Sequence, residues 1–176
     1  LSYLMVDDIL LTLQSSADVH GVAIISSDES VRSLAQGYKT EFLLTDADSG
    51  YSQDVMHAVT EVSQHVNETI AIIPSDVPQL SCDDLSQINL SHEQGLTLCP
   101  AIVDGGTNGL VFSPPLSIPL MFGVDSLRKY ESIALENNIP LKIQPVVGLE
   151  RDIDRPEDLL WLQNQNSGGK AWLYVR

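Results

Sequence analysis

Residues 70–73 read Ile-Ala-Ile-Ile, an apolar run with no polar alternate. Such a run predicts a strand covered on both faces, as in the middle of a parallel sheet flanked by helices. Residues 21–27 (Gly-Val-Ala-Ile-Ile-Ser-Ser) predict a second buried strand. Helical periods surround both. Leu1, Leu4, Met5, Ile9, Leu10 and Leu13 place an amphipathic helix over residues 1–15. Asp28 is a candidate N-cap for a short helix that buries Val31, Leu34 and Ala35 and ends at Gly37. A short strand over 41–45 and a polar loop over 46–52 lead to a helix over 52–66, with Val55, Met56, Val59 and Val62 inward. Pro74 ends the 70–73 ladder because proline has no N–H to donate, and residues 81–84 start another helix. This alternation predicts an α/β fold, a three-layer αβα arrangement around an open, mostly parallel sheet.

Beyond residue 90 the pattern is less regular. A strand over 96–103 runs into Asp104-Gly105-Gly106-Thr107-Asn108-Gly109, with an antiparallel return over 110–112 before Pro114 and Pro115. A helix over 126–137 and a strand over 141–147 follow. Pro156 suits the first turn of a final helix carrying Leu159, Leu160 and Leu162. Residues 167–169 read as a flexible tail, after which Trp172 and Tyr174 pack as a last short segment.

Composition narrows the partners. A chain of 176 residues fits one domain with a sizeable core. The net charge of −15 argues against nucleic acid or an anionic membrane surface, and any phosphate ligand would need a metal or a local group of cations. Cys82 and Cys99 lack metal-ligand spacing and read as buried thiols in a reducing compartment. No apolar run reaches membrane-spanning length and no signal-peptide pattern is present, so the expected location is cytoplasmic. The helical period begins at the first residue, without a cap, and no Lys or Arg precedes Arg32. The expectation is that an N-terminal piece is missing.

The candidate chemistry is acidic. Asp76 stands at the carboxyl end of the 70–73 strand, the edge where open α/β sheets bind ligands. It reads equally as a ligand of Mg²⁺, a hard cation suited to carboxylates, or as a helix cap. Asp152 and Asp154, two apart in an extended segment, point to one side and could join it, or one of them caps the final helix. The 105–109 loop lets backbone come close to a ligand, with Thr107 and Asn108 as polar contacts, or is a hairpin turn built on Asn108-Gly109. Residues 123–126, opening a helix, offer free N–H groups to an anion, or form an ordinary cap. The four histidines are scattered, and neither a nucleophilic triad nor a Gly-Lys-Ser/Thr phosphate loop is present.

Taken together, Ile72-Ile73-Pro74-Ser75-Asp76-Val77-Pro78, Gly106-Thr107-Asn108, Pro114-Pro115, Phe122-Gly123, Ser126 and Asp152-Ile153-Asp154-x-Pro156-x-Asp158-Leu159 resemble, in that order, the 2-phospho-L-lactate guanylyltransferase family of coenzyme F(420) biosynthesis. That family has the nucleotide-diphospho-sugar transferase (GT-A-like) fold of molybdenum-cofactor guanylyltransferases. The resemblance covers essentially the whole chain. It implies transfer of GMP from GTP to 2-phospho-L-lactate, phosphoenolpyruvate or 3-phospho-D-glycerate, with Mg²⁺ as cofactor. It also implies Asp76 and Asp152 as catalytic residues, and Asp76 with Asp152 or Asp154 as metal ligands. Thr107, Gly123 and Ser126, with Gly106 and Asn108 beside them, would bind the acid, and Ser52, Gln53 and Pro74 the nucleotide. The oligomeric state stays open, a homodimer included. Family members begin with a strand and a basic Val-Pro-Val-Lys-type loop that have no counterpart here, and their Gly-Leu-Asn appears as Gly50-Tyr51-Ser52-Gln53. Residues 1–176 are therefore expected to form a single nucleotidyltransferase domain lacking its first strand and phosphate loop. A molybdenum-cofactor or sugar-phosphate nucleotidyltransferase, and a non-catalytic ligand-binding relative, are the alternatives.

Overall fold

The computed structural model describes residues 1–45, 50–165 and 167–176; most of the predicted 46–52 loop falls outside them. Six strands and seven α-helices are described: α1 (Ser2–Ser15), β1 (Ala23–Ser26), α2 (Arg32–Tyr38), β2 (Glu41–Leu44), α3 (Tyr51–Val62), β3 (Ile70–Ile72), α4 (Cys82–Ser91), β4 (Leu96–Pro100), β5 (Thr107–Phe112), α5 (Ser126–Glu136), β6 (Leu141–Ile143), α6 (Pro156–Gln163) and α7 (Lys170–Val175). Local chemistry starts several of them. The Asp28 carboxylate accepts from Ser30 N at 2.9 Å and caps the 3₁₀ turn that leads into α2. Ser81 and Asp84 form a reciprocal capping box at the start of α4. Pro156 occupies the first turn of α6, where its missing N–H costs nothing.

The strands form two pieces. β1 pairs with β2 in parallel. The larger sheet has the order β3-β5-β4-β6, with β3–β5 and β4–β5 antiparallel and β4–β6 parallel. Period-2 alternation sorts its side chains into two cores. Leu110 and Phe112 of β5, with Leu96 and Leu98 of β4, pack against Val55 and Val59 of α3 and Tyr130 of α5. Val111 and Cys99 point the other way, toward Ile9 of α1 and Leu85 and Ile88 of α4. Helices thus cover both faces, as a three-layer α/β fold requires. Ile25 of β1 packs on the first core together with Ile72 of β3.

One expectation fails at β3. Its apolar run suggested a central position covered on both faces, yet among the described residues β3 pairs only with β5, and Ala71 is exposed. β1 is likewise only half-buried along its length. Buried-strand composition reports apolar surroundings and not the number of hydrogen-bonded neighbours. The 167–169 tail also departs from expectation. Gly169 caps α7, and the Asp8 carboxylate accepts from Lys170 N and Ala171 N, each at 2.8 Å. A Cβ at Gly169 would come within 2.7 Å of that carboxylate. Met5 of α1, Ile153, Leu162 of α6 and Trp172 of α7 form a third core beneath this tie.

Candidate active site

Three carboxylates meet at the end of β3. Asp76 follows Pro74, which closes the ladder, and the Asp76 carbonyl accepts from Ile153 N at 2.9 Å. That bond joins the strand end to residues 151–155. Ile153 is buried in the third core, so in an extended segment its neighbours Asp152 and Asp154 turn outward together. One oxygen from each of Asp76, Asp152 and Asp154 lies within 4.8 Å of the others. The spacing argument for Asp152 and Asp154 and the strand-end argument for Asp76 thus lead to one point.

The electrostatics there are strained. Burial pushes the Asp76 carboxyl up to about 6, and the Asp152 and Asp154 charges push the same way. Asp152 is raised too, by burial first and then by Asp154, Asp104 and Asp158. Among the described residues, the buried Asp76 Oδ1 has no hydrogen-bond partner. Hard oxygen donors, mutual repulsion and an orphaned buried oxygen together fit a divalent cation such as Mg²⁺.

The predicted acid-binding residues lie where β5 and α5 begin. The Ser126 hydroxyl donates to Thr107 Oγ1 at 3.1 Å, and both side chains are buried. Gly106 N donates to Asp104 Oδ1 at 2.8 Å, and the Asn108 amide donates to the Leu149 carbonyl at 3.0 Å. Two expectations are corrected here. Asn108-Gly109 is no hairpin turn, because β5 already starts at Thr107 and a Cβ at Gly109 would crowd Cys99 and Leu149, each at 2.9 Å. The first N–H groups of α5 are not all free either: Ser126 N donates to the Gly123 carbonyl at 3.0 Å and Leu127 N to the Gly105 carbonyl at 3.2 Å. A neighbouring loop carbonyl satisfies a donor that sequence leaves open. Gly123 keeps φ +104° with open space where a Cβ would be, so backbone there remains approachable.

The predicted nucleotide residues divide. Pro74 sits on the carboxylate side. Ser52 Oγ instead accepts from Phe122 N at 3.3 Å, and Ser52 and Gln53 line an open cavity of about 370 Å³ with Met56, His57, Pro119 and Leu120. Tyr51, which the sequence did not single out, packs on the nucleotide side and feels the Asp76 charge. Its ring meets Phe122 edge-on at 5.3 Å, and its phenol is pushed up to about 12 by desolvation and then by the Asp76 charge. Phe122 in turn meets Tyr130 at 6.3 Å, and the Tyr130 hydroxyl accepts from Met121 N at 2.8 Å. Arg151 and Asp158, ion-paired at 3.0 Å beside the carboxylates, were also missed. The motif around Asp152 contains both, but only folding shows that they touch.

Known proteins resemble this chain in sequence and in fold. Residues 1–176 match the family described as "Guanylyl transferase CofC like". A phosphoenolpyruvate guanylyltransferase of Roseiflexus sp. (strain RS-1) is 31% identical over 179 residues, spanning 100% of this chain and 78% of its own. A 3-phospho-D-glycerate guanylyltransferase of Colwellia psychrerythraea (strain 34H) is 28% identical over 142 residues, 80% of this chain and 67% of its own. Among solved structures, one from Desulfovibrio desulfuricans G20, described as a nucleotide-diphospho-sugar transferase, superposes with a TM-score of 0.76 at 17% identity, over 99% of this chain and 80% of that one.

Proposed function

This chain belongs to the CofC-like guanylyl transferase family and is thus related to nucleotidyltransferases, and from that premise we propose that it moves GMP from GTP onto the phosphate of a short phosphorylated acid. Phosphoenolpyruvate, 2-phospho-L-lactate and 3-phospho-D-glycerate are the candidate acceptors, and the product serves coenzyme F(420) biosynthesis. An acceptor phosphate oxygen attacks the α-phosphorus, the bond from that phosphorus to the bridging oxygen breaks, and pyrophosphate leaves with the electron pair. The observation that carries this reading is the convergence of Asp76, Asp152 and Asp154, with Asp76 Oδ1 buried and unpartnered. Those residues would hold Mg²⁺, which when bound supplies charge neutralisation for phosphates in a chain of net charge −15.

The remaining work falls to the chain's own groups. The Thr107–Ser126 hydroxyl pair fixes the start of β5 against the start of α5, and Gly123 leaves backbone open to the acid's phosphate or carboxylate. Tyr51, Ser52 and Gln53 line the approach on the nucleotide side. The protein, given GTP, Mg²⁺ and each acid in turn, is expected to release pyrophosphate and yield a guanylylated acid by mass spectrometry. Asp76→Asn should remove most of that activity with the fold intact. Full turnover by this variant, or activity undiminished by excess chelator, overturns the metal assignment; no product with any of the acids overturns the reaction.

A further inference from the structure

Asp158 looks at first like a plain helix cap, three residues into the α6 turn. Its Oδ2 accepts from Arg155 N at 2.9 Å, which is half of a capping box. It does more than that. The same oxygen lies 3.3 Å from Asp154 N, while Oδ1 accepts from Arg151 Nε at 3.0 Å. Asp158 is only 6% exposed, so these contacts are not loosened by solvent. One buried carboxylate thus grips residues 151, 154 and 155, on both sides of Asp152. The guanidinium of Arg151 is also held over the Trp161 ring of α6, at 5.2 Å from its centroid.

The position of Arg151 gives this grip a consequence. Arg151 directly precedes Asp152, and the Asp76, Asp152 and Asp154 carboxylates carry unbalanced negative charge. A guanidinium matches a carboxylate with paired N–H donors and competes readily for one that is otherwise unpaired. Held by Asp158 and Trp161, it is turned toward α6 and leaves the three carboxylates to a cation.

We propose that Asp158 is a positioning residue for the metal-binding carboxylates: it pins the 151–155 segment and keeps Arg151 from pairing with Asp152 or Asp154. The proposal rests on reading those carboxylates as a divalent-cation site. Residues that orient metal ligands without touching the metal typically change affinity by ~10–100-fold when altered.

Mn²⁺ binding, followed by electron paramagnetic resonance of the free ion, tests this without turnover. The proteins are the wild type, Asp76→Asn, Asp158→Asn, Arg151→Gln and the double variant Arg151→Gln/Asp158→Asn, each checked by circular dichroism. Asp158→Asn is expected to weaken Mn²⁺ binding about tenfold, and adding Arg151→Gln is expected to recover most of that loss. If Asp158→Asn fails to fold, the smaller Asp158→Ser, which fits the same buried space, keeps a hydroxyl acceptor near the Arg155 N–H and removes the charge, replaces it in both single and double variants. Unchanged affinity on loss of the Asp158 charge, with only a lower melting temperature, makes Asp158 a cap and overturns the proposal. So does a loss that removing Arg151 does not relieve. If the wild type binds no more Mn²⁺ than Asp76→Asn, the cation site itself is wrong and the proposal falls with it.

Discussion

Asp76 shows how a single side chain can make folding depend on pH and metal together. Its carboxyl titrates near 3.8 when unfolded and at about 6 in the folded chain, because burial and two neighbouring carboxylates disfavour its charge. Between those values the folded form binds more protons than the unfolded one. The stability this group contributes is therefore full below 3.8 and is lost as pH rises through about 6. On the proposed reading a divalent cation would replace the proton and remove the penalty, so the two would compete. In thermal melts without metal, the difference between wild type and Asp76→Asn should grow in favour of the variant as pH rises from 4 to 7. Added Mg²⁺ should stabilise the wild type above pH 6 and lose its effect toward pH 5. A Mg²⁺ effect independent of pH, or one equal in Asp76→Asn, contradicts the assignment.

At the scale of elements, local signals were legible and pairings were not. Ser81 with Asp84, Asp28 and Pro156 announce their helix starts through donors and acceptors a few residues apart. The carboxylate site was legible for the same reason: Asp152 and Asp154 share a side by parity, and Asp76 follows a proline-ended strand. What could not be read is which element comes alongside which. The apolar run at β3 gave no sign that, among the described residues, only β5 would pair with it. The Leu127 N–H is taken by Gly105 from 22 residues away in sequence, and Ser52 meets Phe122 from 70 away. Asp158 reads as a cap until Arg151 is seen against it. The junction of β5 and α5 is itself testable. Thr107→Val keeps the volume but leaves the buried Ser126 hydroxyl without its acceptor, at a cost of about 1–3 kcal/mol. The Michaelis constant for the phospho-acid should rise while that for GTP stays nearly unchanged. A rise for GTP instead would assign this junction to the nucleotide side.

For the molecule as a whole, the two sheet pieces matter most. Among the described residues β1 pairs only with β2, and β3 only with β5, so each has an unpaired edge while both pack on one core. Unpaired edges next to apolar side chains invite association between molecules. Residues 1–176 on their own are expected to associate through these edges, as light scattering would show; a monodisperse 176-residue protein contradicts this. The tie between the first and last helices has a different kind of consequence. Asp8 and the N–H of Lys170 that it holds are 162 residues apart. On a ribosome adding ~5–20 residues per second, the Met5 side of α1 waits on the order of ten seconds for its partner to be made. Through that interval the Ile9 face of α1 can already pack against α4 while its Met5 face stays open, so one helix docks in two stages.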